Sequence, residues 1–231
     1  MSDAAAMIDT IPDSSPPASG RTRRALVPLW LKLALTAFVA VLVPVYWVHY
    51  GPANFLYFCD MALLLTLAGL WLEKPLLVSL PAVGILMPQA LWLADLGATL
   101  AGFRLVGLTD DMGDASLPLY LRGLSLFHGW LPILLAWGVW RLGYDKRALA
   151  GWTVIAWASM LVSWFFIPGP SPETANIAAN VNYVYGPSAT APQTWMPGWA
   201  WLMLLMAALP VVMFAPVHLL LARYCKPAGQ R

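Results

Sequence analysis

Charge is what this chain most lacks. Asp, Glu, Lys and Arg make up 10% of its 231 residues, against about 25% in an ordinary soluble domain. A soluble core could not hide the remaining apolar surface without leaving large exposed patches. Cysteine is also scarce, with only Cys59 and Cys225. That is too few for a disulfide framework, and no Cys-x-x-Cys pair is present to suggest zinc or redox chemistry. There is no Gly-x-Ser-x-Gly elbow, no His-Glu-x-x-His and no phosphate-cradling glycine loop. No basic run interleaved with aromatics offers a grip on nucleic acid. The expectation is therefore no cofactor, no metal and no nucleic-acid partner.

What is present is apolar length. Hydrophobic residues are 60% of the chain and the mean hydropathy is +0.69. Apolar runs fall at about 27–49, 53–72, 75–95, 118–140, 148–168 and 196–222. Each approaches the roughly 20 residues that a helix needs to cross hydrocarbon. Backbone groups in lipid must be satisfied internally, so helix is the practical choice, and the alternation of barrel strands is missing. The sequence predicts an all-α, polytopic membrane helical bundle of about six transmembrane helices, with both termini cytoplasmic. Residues 1–24 read as a disordered cytoplasmic tail, 25–224 as the membrane domain and 225–231 as a short tail. Pro44, Pro81, Pro88, Pro132, Pro210 and Pro216 lie inside the runs, where they are expected to kink helices.

Orientation follows from Lys and Arg. With the N-terminus inside, Arg21, Arg23, Arg24, Lys32, Lys74, Arg141, Lys146, Arg147, Arg223, Lys226 and Arg231 fall at the inner face, and Arg104 and Arg122 at the outer one. Cys59 and Cys225 then lie on opposite sides, which argues against a disulfide between them. The expected location is the cytoplasmic (inner) membrane of a bacterium, with membrane lipids as partners. Two outer connections are long. Residues 96–117 contain an apolar piece, Leu100 to Leu108, expected as a short interfacial or re-entrant helix. Residues 169–195 are rich in Pro, Asn, Ser and Thr.

The candidate site is read from polar groups at membrane depth, which are costly there and mark function or a structural pairing. Asp60 is expected about 12 Å below the outer end of the second run, and His128 near the middle of the fourth. Arg122, Ser125 and His128 are spaced by three and share a face. Asn54, Tyr57, Gln89, Asn182 and Tyr183 fall at the same level, as substrate-binding or orienting groups beside Asp60 and Arg122. Cys59 is an inert small hydrophobe unless an imidazole can take its proton. Together these groups suggest an outward-opening cavity lined by spans two to five and capped by 169–195.

Three segments carry a resemblance: Asn54-Phe-Leu-Tyr-Phe-Cys59-Asp60, Ser125-Leu-Phe-His128-Gly-Trp130 and Asn182-Tyr-Val-Tyr-Gly186-Pro187. The pattern resembles the YwaF-like family of bacterial integral membrane proteins, which is distantly similar to androgen-induced membrane hydrolases and related multi-spanning phospholipid acyltransferases. The resemblance implies lipid acyl hydrolysis or acyl transfer, with Cys59 as nucleophile and His128 as base. An ionised Asp60 beside Cys59 would oppose a thiolate unless it is paired with Arg122. Two other readings stay open. One is a small transporter or binding protein using Asp60 and His128, for which six spans are few and a homodimer would help. The other is a non-enzymatic membrane scaffold.

Overall fold

The computed structural model describes residues 25–103, 105–174, 177–188 and 191–228. The expected tail at 1–24, the last three residues of the expected tail at 225–231, and Arg104 lie outside them. The described chain is helical and has no strand. Its helices are α1 (Leu29–Tyr50), α2 (Phe58–Leu72), α3 (Pro75–Leu100), α4 (Asp110–Gly113), α5 (Leu119–Ser125), α6 (Phe127–Leu142), α7 (Ala148–Phe166), α8 (Gly198–Ala208) and α9 (Ala215–Tyr224). Five stretches are long and apolar enough to cross a membrane: α1, α3, α5 with α6, α7, and α8 through α9. The sixth, α2, has 15 residues, only about 22 Å of helix. A 3-10 helix at Pro52–Leu56 precedes it and adds about 10 Å. The second run is thus two pieces hinged at the extended Tyr57, where one continuous helix over 53–72 was expected. Several apolar spans in one helical body make this an integral membrane protein.

The most buried span is α3, with α2, α6 and α7 against it. Small residues let the backbones close in. A Cβ at Gly69 of α2 would stand 2.7 Å from Val78 of α3, and one at Gly138 of α6 would stand 2.9 Å from the same side chain. The tightest approach is Gly84 of α3, whose missing Cβ is replaced by the fully buried indole of Trp152 on α7. Gly84→Ala must therefore push α7 outward or turn Trp152 out of its well. Overpacking of this kind costs about 1–3 kcal/mol or more. Thermal melting in detergent should show a clearly lowered midpoint.

The ends of the spans are tied by polar contacts. At one end Glu73, held at φ 49 after α2, accepts from the N–H groups of Leu26 and Val27 and from Lys32 Nζ at 2.8 Å. Arg141 Nε donates to Leu26 O. Tyr144 N donates to Lys226 O and Ala228 N to Tyr144 O. This end therefore gathers Lys32, Arg141 and Lys226, beside the α2–α3 and α6–α7 turns that carry Lys74, Lys146 and Arg147; it is called the basic end below. Burial opposes the charge on Glu73, but Lys32 and the two N–H groups outweigh it and hold its carboxyl below the ordinary glutamate value. A depressed carboxyl stabilises the fold above its unfolded value and loses that contribution as pH falls through the folded one. Glu73→Gln should lower stability by about 2 kcal/mol at neutral pH, since hydrogen bonds to a charged group are lost. Melting curves of the two proteins should converge in acid.

At the opposite end α3 runs on to Leu100, past the expected limit of 95. Beyond Leu100 the described residues up to Leu108 form no helix; turns with positive φ at Gly102 and Gly107 follow instead. The cause is Asp95, fully buried. Its carboxylate accepts from the N–H groups of Val106, Gly107 and Thr109 and from the Thr109 hydroxyl, at 2.6 to 3.0 Å. Those donors cannot also serve a helix.

The last span is not uniform. Between α8 and α9 the backbone opens into a π-helix at Leu209–Phe214. Pro210 has no N–H, so Met206 O loses its α-helical donor. Trp157 Nε1 of α7 supplies one at 2.8 Å, which fixes the last span against α7.

Candidate intramembrane polar site

Three helices bring polar side chains to one level. Asp60, Gln89 and His128 each stand about 20 Å along α2, α3 and α6 from the basic end, at 1.5 Å per residue. Asp60 is not deep in a long helix, as expected; it lies in the first turn of α2. A carboxylate there is favoured by the helix dipole, which helps to explain its tolerance at 3% exposure. Asn54 Nδ2 donates to Asp60 Oδ2 at 3.2 Å, and the Cys59 thiol donates to the same oxygen at 3.6 Å. Asp60 Oδ1 has no partner.

A second set of contacts runs beside the first. Tyr46 of α1 shares a hydrogen bond with the Ser125 hydroxyl at 3.0 Å, and both Asp60 and Cys59 lie within electrostatic reach of its oxygen. The helix breaks at Leu126, between α5 and α6. Arg122 and Ser125 belong to α5 and His128 to α6, so the helical hydrogen-bond ladder between them is interrupted. Instead the Ser125 carbonyl, freed at the break, bonds His128 Nδ1 at 2.7 Å. A carbonyl only accepts, so Nδ1 carries the proton and the neutral ring keeps its lone pair on Nε2. The ring stacks on Trp92 of α3, 5.2 Å between centroids.

The expected residues thus fall into groups. Asn54, Cys59 and Asp60 are in direct contact, and Tyr46, Ser125 and His128 form a second set. No hydrogen bond joins Cys59 to His128: the thiol turns to Asp60 and the ring to Ser125. Arg122 does not pair with Asp60; its Nη1 donates to Met112 O, and its Nε is buried with no partner. Gln89 is 3% exposed, and neither end of its carboxamide meets a protein partner. Ser163 Oγ on α7 is in the same condition.

Asn182 closes the site from the loop side and does not orient His128. It sits at φ 55 in the 3-10 turn Val181–Tyr183. Its Oδ1 accepts from Phe58 N at 3.1 Å, and its Nδ2 donates to Leu56 O and to Ser159 Oγ. Ser159 Oγ in turn donates to Leu56 O at 2.7 Å. The hinge that places Asp60 is therefore locked by α7 and the loop together. Tyr57 OH donates to Ala179 O, and Tyr185 OH reaches Trp164 O and Ile167 O. Tyr183 is exposed, and its carbonyl accepts from Trp201 Nε1. Asn180 braces the turn by accepting from Tyr185 N and donating to Gly186 O and Ser188 O.

Sequence reasoning missed Tyr46, Trp92 and Ser159. Nothing local marks them, since each acts on a residue from another span. Among the described residues no group of His, Cys, Asp and Glu is arranged to hold a metal ion. No protein-family model matches the chain, and no curated protein or solved structure matches it either.

Proposed function

We propose that this protein takes a small polar solute into the intramembrane site around Asp60 and Gln89, as a transporter or substrate-binding membrane protein. The basic end lies in the cytoplasm, following the excess of Lys and Arg there, and the site belongs to the outer half of an inner-membrane protein. One observation carries the reading. Asp60 Oδ1 and both ends of the Gln89 carboxamide are buried and bonded by no protein group. An unsatisfied buried polar group costs about 1–3 kcal/mol. Three such atoms at one level are hard to account for as packing and are what a polar ligand would use. His128 Nε2 adds a proton acceptor at the same height.

Acyl transfer is the second reading. It is favoured by the short motifs that carry Cys59 and His128 and by Ser125, whose carbonyl leaves His128 Nε2 as a proton acceptor. It requires Cys59 to turn from Asp60 toward His128 before a proton can pass.

The test is a thermal-shift panel of amino acids, amines, carboxylates and sugars on the purified protein. At least one class should raise the melting temperature of the wild type, and Asp60→Asn should abolish that rise. A panel without effect on the wild type, or with an equal effect on Asp60→Asn, contradicts the reading.

A further inference from the structure

An open groove of about 620 Å³ lies far from Asp60, between the start of α7 and the last span. Its wall is apolar: Leu149, Val154, Pro210, Val211 and Ala215 line it. Val154 and Val211 are 63% and 69% exposed, so the groove opens sideways into the bilayer. Its α7 wall covers only the first turns of the helix, about 10 Å from the basic end. The π-helix forms the other wall. At the rim stand Lys146 and His218. Lys146 is in no ion pair among the described residues; its neighbour Asp145 is taken by Arg147 at 2.7 Å. His218 Nδ1 is fixed by Tyr144 OH at 2.6 Å. When Tyr144 donates that bond, the neutral ring carries its proton on Nε2 as a donor.

We infer that this groove is a binding site for one anionic phospholipid of the cytoplasmic leaflet, its phosphate at Lys146 and His218 and an acyl chain along α7 and the π-helix. Three features commit it to that occupant. The volume is in the range of small-molecule sites, the mouth faces hydrocarbon, and among the described residues the only charge lining it is Lys146, a cation in no ion pair. A water-soluble anion would not choose an apolar lateral slot. A zwitterionic lipid would gain less from Lys146, because basic residues near a membrane surface favour anionic lipids.

Native mass spectrometry of the full-length protein, with phosphatidylglycerol and phosphatidylcholine added in equal amounts, tests this. Wild type should retain one phosphatidylglycerol in preference to phosphatidylcholine. Lys146→Gln should reduce that preference about fivefold, the usual weight of one basic residue at the surface. Ala150→Phe, a substitution at an exposed position on the groove wall, should reduce retention of both lipids. Lys74→Gln changes the same charge at the same end but outside the groove, and should leave the preference intact. Equal loss in Lys74→Gln and Lys146→Gln would mean diffuse attraction and would overturn the site. So would a wild type that retains the two lipids alike, or an Ala150→Phe protein that retains them as wild type does.

Discussion

Asn182→Ala should destabilise the protein by about 3 kcal/mol. Phe58 N would lose its acceptor, and a buried orphan costs about 1–3 kcal/mol. Ser159 Oγ and Leu56 O would each lose a donor. Alanine must also adopt φ 55, a left-handed conformation that asparagine tolerates better. Asn182→Gly separates the two contributions, because glycine removes the hydrogen bonds without the backbone penalty. Chemical unfolding in detergent should rank wild type above Asn182→Gly and Asn182→Gly above Asn182→Ala. Similar stability for all three would mean that the loop does not hold the hinge.

Gln89→Met should move stability the other way. Removing a polar group that has no protein partner, with a side chain of similar length, relieves a desolvation cost of about 1–3 kcal/mol. The unliganded protein should therefore melt at a higher temperature than wild type. The same variant should lose the melting-temperature rise produced by the polar solute that Asp60 recognises. Gain of stability with loss of binding is the signature of a side chain kept for a ligand. A destabilised Gln89→Met protein would mean that the carboxamide is structural.

The spans themselves were legible from their residues, because scarce charge and apolar runs of about the right length leave few alternatives in lipid. Their interruptions were not. Nothing between Asn54 and Asp60 announces a hinge, since the groups that satisfy it, Asn182 and Ser159, come from far along the chain. The break at Leu126 is equally silent. Counting down a straight helix therefore missed that Asp60 opens a helix of its own, although the level it shares with Gln89 and His128 was visible. Leu100 to Leu108 looked like a helix by hydropathy, but the carboxylate of Asp95 outcompetes helical bonding for its N–H groups. Asn54, Cys59 and Asp60 could be grouped because they are near neighbours in the chain. The direction of the Cys59 thiol depends on packing between spans and had no sequence signal.

The claim that everything else depends on is that the Cys59–Asp60 site is reached from the side opposite the basic end. Side-specific thiol labelling with a small, charged methanethiosulfonate reagent tests it on intact cells and inverted vesicles, with single-cysteine proteins made by Cys59→Ser or Cys225→Ser. Cys225, at the end of α9, should react only from the cytoplasmic side. Cys59 should react only from the outer side, and more slowly in the presence of the solute that shifts the melting temperature. Modification of Cys59 from the cytoplasmic side alone, or from neither side, would contradict the account.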